Sequence, residues 1–457
     1  MTKQSLTNGC APFVLLLLLS SLLPPSANAQ RLELPDLDRG SMERIDERDH
    51  IKYLKTPDAV VVSKKKTRDL LDGVFQNSPT LRQAEFGFES SISDRRAAEG
   101  AKLPQVFGTV QSNYTEANLP AASKSTGKPS YTVAGQLVVY DWGRLDAVVR
   151  NREALAEAAQ YRVDLSRLEL TIEVLSGCLE LNKQQALLKA AKDYTKKIED
   201  LTNRISKVAE SDPGRASELA QTESRVLQAR SSEKITESKI TELALRLKRH
   251  IMDDVPTACS GIGANLMTGL ADNDINSKIS THPQLYILDA QYRSELATQR
   301  QLEATLKPQV NVRLEHSPLS AGLSNEYQQS VALQATAVIF DGNTLKSNAA
   351  ASQQRAYAAQ EQRERLSRQL RTDLLEKNKL ASTLLTRAEE YVVLLEVNQR
   401  VRDDFFIQWA ALGRRTLFEL LAIEAEQFSL RSGYYTSLYD AMINYANIRA
   451  NIGLIAE

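Results

Sequence analysis

Past its first 29 residues, this 457-residue chain has no apolar run approaching the roughly 20 residues that a membrane-spanning helix requires. If it crosses a membrane, it does so as a barrel. Histidine is equally sparse: His50, His250, His282 and His316 are scattered and make no His-Glu-x-x-His arrangement for zinc. The stretch GIGANL at 261–266 lacks the third glycine of a dinucleotide loop and follows no predicted strand, so it reads as a connector. No catalytic residue, metal site or cofactor is expected. Neither sign of charge prevails, with 57 basic and 57 acidic side chains, and this balance offers no field for nucleic acid. The Glu and Arg clusters along the chain read as solvated faces or salt-bridged flanks.

Cysteine is nearly absent as well. Of three, Cys10 precedes the apolar run Phe13 to Leu23, which Lys3 introduces and Ala27-Asn28-Ala29 follows. That order predicts a signal peptide over residues 1–29, removed to start an exported chain near Gln30. Cys178 and Cys259 then reach an oxidising compartment, where a disulfide is open to them. Cys178 lies inside a predicted long helix and Cys259 just beyond Pro256, so sequence does not bring them together, and two free thiols are the alternative. Residues 30–66, including Lys64-Lys65-Lys66, form a charged N-terminal extension, expected to be mobile.

What the chain does have is a duplication. Asn77-Ser78-Pro79-Thr80-Leu81 is answered by Thr281-His282-Pro283-Gln284-Leu285, and Pro104-Gln105-Val106 by Pro308-Gln309-Val310, both at an offset of 204 residues. Val138-Val139-Tyr140-Asp141 matches Val338-Ile339-Phe340-Asp341 at an offset of 200. Gly214-Arg215 and Gly413-Arg414 follow, 73 and 72 residues beyond those aspartates. Four anchors in one order define two units, residues 67–260 and 261–457.

Each unit reads alike. Between its two prolines, apolar positions recur three or four apart, as at Leu285, Leu288, Tyr292 and Leu296, the spacing of a helix. Pro104 and Pro308 stop that helix, because proline lacks an N–H and disfavours helix in the residue before it. Val310, Val312 and Leu314 then alternate with Asn311, Arg313 and Glu315, the period of a strand with one apolar and one wet face. Strands are expected at about 309–316 and 328–341, and in the first unit at about 105–115 and 130–141, although VFGTVQSNY is a poor strand by itself.

Breakers vanish next. Asn343 to Leu412 contains no Gly or Pro, and Arg144 to Asp212 only Gly177, so each unit predicts a helix of roughly 100 Å at 1.5 Å per residue. Leu370, Leu374, Ala381, Leu384, Ala388, Tyr391 and Leu395 keep near-heptad spacing along the second, interrupted by Lys377. Tips at about 211–216 and 411–416 reverse the chain at Gly214, Arg215, Gly413 and Arg414. Four amphipathic strands cannot close a membrane barrel of at least 8, so other copies must complete the sheet.

With that order on the page, the chain resembles the TolC family of outer-membrane export channels over residues 66 to 456, the GRRTLFELL turn being specific. The resemblance implies a mainly α fold with a membrane β-barrel portion. It further implies a homotrimer with a twelve-stranded β-barrel in the outer membrane of a Gram-negative bacterium and a long periplasmic α-barrel. It places a periplasmic gate at Glu419, Arg415 and Glu218. Where a second ring acid is often found, this chain has Ala422, which weakens a double carboxylate ring. The competing reading makes Glu419 and Glu218 first-turn acids that complement a helix N-terminus. Arg415 either links to a neighbouring hairpin or is a solvated charge. GRRTLFELL with Glu424 and Glu426, and DPGRASELAQTESRVLQAR at 212–230, look most like the branch serving type I secretion of large adhesins. The partners so implied are a membrane-fusion adaptor and an inner-membrane ATP-binding cassette (ABC) transporter. The alternative is small-molecule efflux with a resistance-nodulation-division pump.

Overall fold

Prolines and the polar residues before them set where the short helices begin. The computed structural model describes residues 47–111, 130–267, 269–318, 327–410 and 414–455. Helix α1 spans Glu47–Leu54, α2 Pro57–Asn77 and α3 Pro79–Gly100. Thr56 and Ser78 stand in extended conformation before Pro57 and Pro79, and their hydroxyls accept the N–H of Ala59 and Leu81. His282 does the same for α8 (Pro283–Thr305), its Nδ1 accepting the Gln284 N–H at 3.2 Å. The three Pro-initiated helices therefore share one cause.

Strands β1 (Gln105–Gln111), β2 (Ser130–Tyr140), β3 (Gln309–Pro318) and β4 (Tyr327–Thr336) form one sheet in the order β1-β2-β3-β4, antiparallel throughout. The middle pair, β2 with β3, joins the two units. Each unit leaves the sheet through the same turn. Asp141 Oδ2 accepts the Leu145 N–H at 2.7 Å and Asp341 Oδ2 the Leu345 N–H at 2.8 Å. Two left-handed residues lie between, Trp142 and Gly143 in the first unit, Gly342 and Asn343 in the second. One glycine per turn relieves the strain, and the units place it at different positions.

The long helices follow at once. α4 covers Arg144–Ser211 (68 residues) and α9 Thr344–Ala410 (67 residues). A 3₁₀ turn, Pro213–Arg215, leads into α5 (Ala216–Leu247), and α10 (Leu417–Asn451) returns from the other tip. α6 (Val255–Cys259) and α7 (Asp272–Lys278) lie in the connector between units. α4 packs along α3, α5, α8 and α10, and α9 along α8 and α10. Of the near-heptad stripe, Leu374, Ala381, Ala388 and Leu395 are buried and Leu370, Leu384 and Tyr391 half-buried. Close approach also depends on Gly433, where a Cβ would lie 2.6 Å from the Tyr391 ring. Among the described residues no helix is long and apolar enough to cross a membrane.

Two expectations need correction. Residues 47–66 are not a mobile extension: α1 and α2 lie on the hairpins, and α2 runs without a break through the boundary drawn at residue 66. Ile51 and Leu54 pack into the main core cluster, and ion pairs flank them. Arg48 pairs with Glu396 at 2.7 Å, Lys55 with Glu389 at 2.7 Å and Glu47 with Arg431 at 2.8 Å, while buried Ser63 bonds Asn265 and Gly263. Second, β4 ends at Thr336, not near 341, because Thr336 faces Gln309, where β3 begins, and Pro308 before it has no N–H to continue the ladder. The strand expected from residue 105 is present and regular as far as Gln111, since pairing with β2 supplies what its composition lacks. The remainder of the expected 105–115 strand lies outside the described residues, as do the signal peptide and residues 30–46.

Candidate functional site

Register sorts the sheet's side chains into two faces. Across the strands Val106 stands opposite Gly135, Gly135 opposite Leu314 and Leu314 opposite Val331; Leu137, Val312 and Leu333 form the next row. Val110, Tyr131, Val133, Val310 and Ala335 share that side, which is apolar but for His316 and Gln329 at its far margin. Val110 and Val331 are 76% exposed and Leu333 72%. On the other face Gln105, Gln136, Arg313 and Ala332 form one row, Phe107, Ala134, Glu315 and Ser330 the next, and Val138, Asn311 and Gln334 a third, so this side is mainly polar with Phe107 and Val138 as its large apolar members. An Arg313–Glu315 ion pair at 3.4 Å sits on this polar side. No helix packs across either face among the described residues. An uncovered sheet with one apolar and one polar face suits a wall between lipid and water.

The two helix-to-strand switches lie at the foot of this wall. α3 ends at Gly100 and β1 starts at Gln105, one residue past Pro104; α8 ends at Thr305 and β3 starts one residue past Pro308. Gln105 Nε2 donates to the carbonyls of Gly100 and Leu103, at 2.9 and 3.0 Å, closing the end of α3. Trp142 Nε1 donates to the Pro308 carbonyl at 2.8 Å, and Lys307 Nζ lies 5.1 Å from the Trp142 ring. The exit of the first unit is thereby tied to the switch of the second.

At the opposite end are the hairpin tips. Asp212 Oδ1 accepts the Gly214 N–H at 3.0 Å, setting the first turn, and Arg215 reaches Glu218 at 3.5 Å. On the second tip Gly413 lies outside the described residues, with Ala411 and Leu412; the Arg414 N–H donates to the Gln408 carbonyl at 3.1 Å. Thr416 and Glu419 form a reciprocal capping box at the start of α10. The Thr416 N–H and the Arg415 guanidinium, 2.8 Å from Oε1, hold the Glu419 carboxyl below its ordinary pKa. Arg415, 38% exposed, also lies over the Phe405 ring at 4.4 Å and donates to Gln408 at 3.1 Å. Its own hairpin occupies it because a guanidinium can stack and hydrogen-bond at once. Ile205 and Val226 of one hairpin share a buried cluster with Leu417 and Leu420 of the other.

Sequence reading missed the strongest charge cluster. Glu424, 4% exposed, binds Arg402 of α9 through a charge-assisted hydrogen bond and lies 3.6 Å from Lys197 of α4. Gln427 accepts from Lys197 at 2.9 Å and donates to Gln399. Burial holds the Lys197 ammonium below its ordinary pKa, Glu424 opposing it. A signal existed, since Glu424 falls in heptad phase between Leu417 and Leu438. Cys178 and Cys259 are joined, with S–S 2.02 Å and Cα atoms 5.0 Å apart, anchoring α6 to α4.

Residues 70–250 match the family model described as outer membrane efflux protein. No curated protein sequence matches the chain. Among solved structures, VceC, an outer membrane protein of Vibrio cholerae, superposes with a TM-score of 0.74 at 13% identity, over 85% of this chain and 96% of that one. CmeC, an outer membrane channel of Campylobacter jejuni, gives 0.73 at 13% identity over 95% and 94%. A membrane protein from Pseudomonas aeruginosa gives 0.75 at 16% identity over 85% and 90%. The chain thus has the fold of outer membrane channels of this kind, and the family match falls on its first unit, which the second repeats in element order.

Proposed function

We propose that the chain is the outer-membrane exit duct of a tripartite export system. Three copies form one twelve-stranded β-barrel in the outer membrane and a long α-barrel through the periplasm, joined to an inner-membrane transporter by a periplasmic adaptor. The observation that carries this reading is the uncovered two-faced sheet set on helices of roughly 100 Å. The chain is a conduit and not an enzyme. Its cargo, on the resemblance of the second tip and of residues 212–230, is a large adhesin or similar protein delivered by an ABC transporter. The family description, efflux, favours the second reading, small molecules delivered by a resistance-nodulation-division pump. Comparing the proteome of medium and cell surface between a strain lacking this chain and its parent separates them. Selective loss of one very large surface protein is expected; an unchanged profile with heightened sensitivity to drugs or dyes supports efflux instead.

The tips form the periplasmic aperture, with Glu419 and Glu218 bringing carboxylates towards the threefold axis, where they favour cations. Arg415 and Arg215 compensate part of that charge within each tip, so the filter is modest. Glu419→Gln is a clean test because glutamine also completes a capping box, so the charge goes and the cap stays. Reduced cation preference in planar bilayers at unchanged trimer yield is expected. Unaltered selectivity would remove Glu419 from the aperture.

A further inference from the structure

We propose that His282 is an acid-sensitive joint: when its imidazole takes up a proton, the start of α8 loses its cap and its tie to the end of α10, while the matching joint of the first unit holds. It stands without the duct reading above, because every group involved belongs to one chain.

Its partners leave the ring one tautomer. His282 is 4% exposed, and its Nδ1 accepts the Gln284 N–H, the first that α8 offers after Pro283, at 3.2 Å. A backbone N–H cannot accept, so Nδ1 carries no proton. The proton of the neutral ring is then on Nε2, which donates to Asn451 Oδ1 at 3.2 Å. Asn451 is the last residue of α10, and its Nδ2 donates to the Asn447 carbonyl at 2.7 Å, which leaves Oδ1 as the acceptor. One neutral imidazole thus holds the start of α8 on one side and the end of α10 on the other. A further proton has one place to go, Nδ1, where it meets the Gln284 N–H head on. It also sets a positive charge at a helix N-terminus, the end that disfavours one.

The first unit makes the same joint without a titrating group. Ser78 stands before Pro79 as His282 stands before Pro283, 204 residues later, and its hydroxyl accepts the Leu81 N–H at 3.3 Å. A hydroxyl keeps its lone pairs across the range in which imidazole titrates, so only the second unit's cap answers to acid. Burial holds the His282 pKa below its ordinary value, the Asn451 hydrogen bond opposing it, and no carboxylate is among the groups that set it. Of the charged groups on the elements packed there, Lys278 of α7 and Arg449 of α10 are cations, and Arg371 and Asp373 of α9 are exposed. Asp289 of α8 is bound by Arg363 of α9 at 2.7 Å, and Asp164 of α4 acts on Tyr161. As pH falls through about 6.5 the unfolded chain takes the proton before the folded one does. The joint is therefore at full strength above that value and weakens below it.

The test is hydrogen exchange of the purified full chain at about pH 7.5 and about pH 5, on either side of the histidine range, each amide corrected for its intrinsic pH dependence. Protection over residues 279–288 is expected to fall about fivefold, the usual worth of an N-cap, while residues 75–84 around Ser78 keep theirs. The two segments are internal controls for one another, since they occupy the same place in the two units. His282→Ser, which copies the first unit, and His282→Asn, another N-cap residue, are expected to abolish the pH dependence over 279–288 whatever they do to protection at neutral pH. Two variants are used so that a failure of one to fold leaves the other to decide, and the two-segment comparison needs neither. Equal falls in both segments, or no fall over 279–288, would overturn the joint. A fall that persists undiminished in both variants would overturn His282 as the group that titrates.

Discussion

Leu333→Arg is expected to keep the chain out of the outer membrane, while Gln334→Arg, one residue further along the same strand, is tolerated. Leu333 lies in the apolar row with Leu137 and Val312, and 72% of it is exposed with no helix to cover it. A guanidinium on the lipid face of a barrel costs about 2–4 kcal/mol near the bilayer midplane. In the proposed trimer every copy carries that cost, so the sum rivals the whole stability of an ordinary domain. Gln334 faces Asn311 on the polar side, where water solvates an added charge and only conductance changes. Outer-membrane fractionation with heat-modifiable migration reads the difference. Equal insertion of the two variants would mean that the faces are assigned the wrong way round.

The sheet was legible because its information is periodic and repeated. Alternation at Val310, Val312 and Leu314 settled which side chains share a face, and the two Pro-Gln-Val junctions settled where helix gives way to strand. The long helices were legible from a lack of breakers, to within two residues of Arg144–Ser211 and Thr344–Ala410. Where a segment's fate depends on a distant partner, the sequence was silent. Arg48 and Lys55 looked like solvated charges because Glu396 and Glu389 lie more than 300 residues away. Ala337 to Phe340 looked like strand, as their counterparts are, but β3 begins at Gln309, opposite Thr336, and offers them no ladder partner. Contacts of Arg415 within its own hairpin were not foreseen, because stacking on Phe405 needs a helix turn that no local pattern announces.

Glu424→Ala is expected to destabilise the helical hairpins far more than Glu426→Ala, although the two carboxylates are two residues apart. Glu426 is exposed, and surface substitutions of that kind stay within about 0.5 kcal/mol. Glu424 is 4% exposed and is the shared acceptor for Arg402 and Lys197 from two other helices. Removing one member of a buried ion pair leaves the other uncompensated, at a cost of about 3–5 kcal/mol. The ammonium of Lys197 is the vulnerable one, since burial already holds its pKa below the ordinary value. Two consequences follow from that sign. Lys197→Met in the Glu424→Ala background is expected to recover part of the loss, because it removes the stranded charge. The loss is also expected to shrink as pH rises towards the ordinary lysine pKa of about 10.4, since the folded chain gives up this proton before the unfolded chain does. Thermal unfolding of the purified channel at neutral and alkaline pH measures both. A loss equal to that of Glu426→Ala, or one that Lys197→Met deepens, would show that the cluster is held by packing and not by its charges.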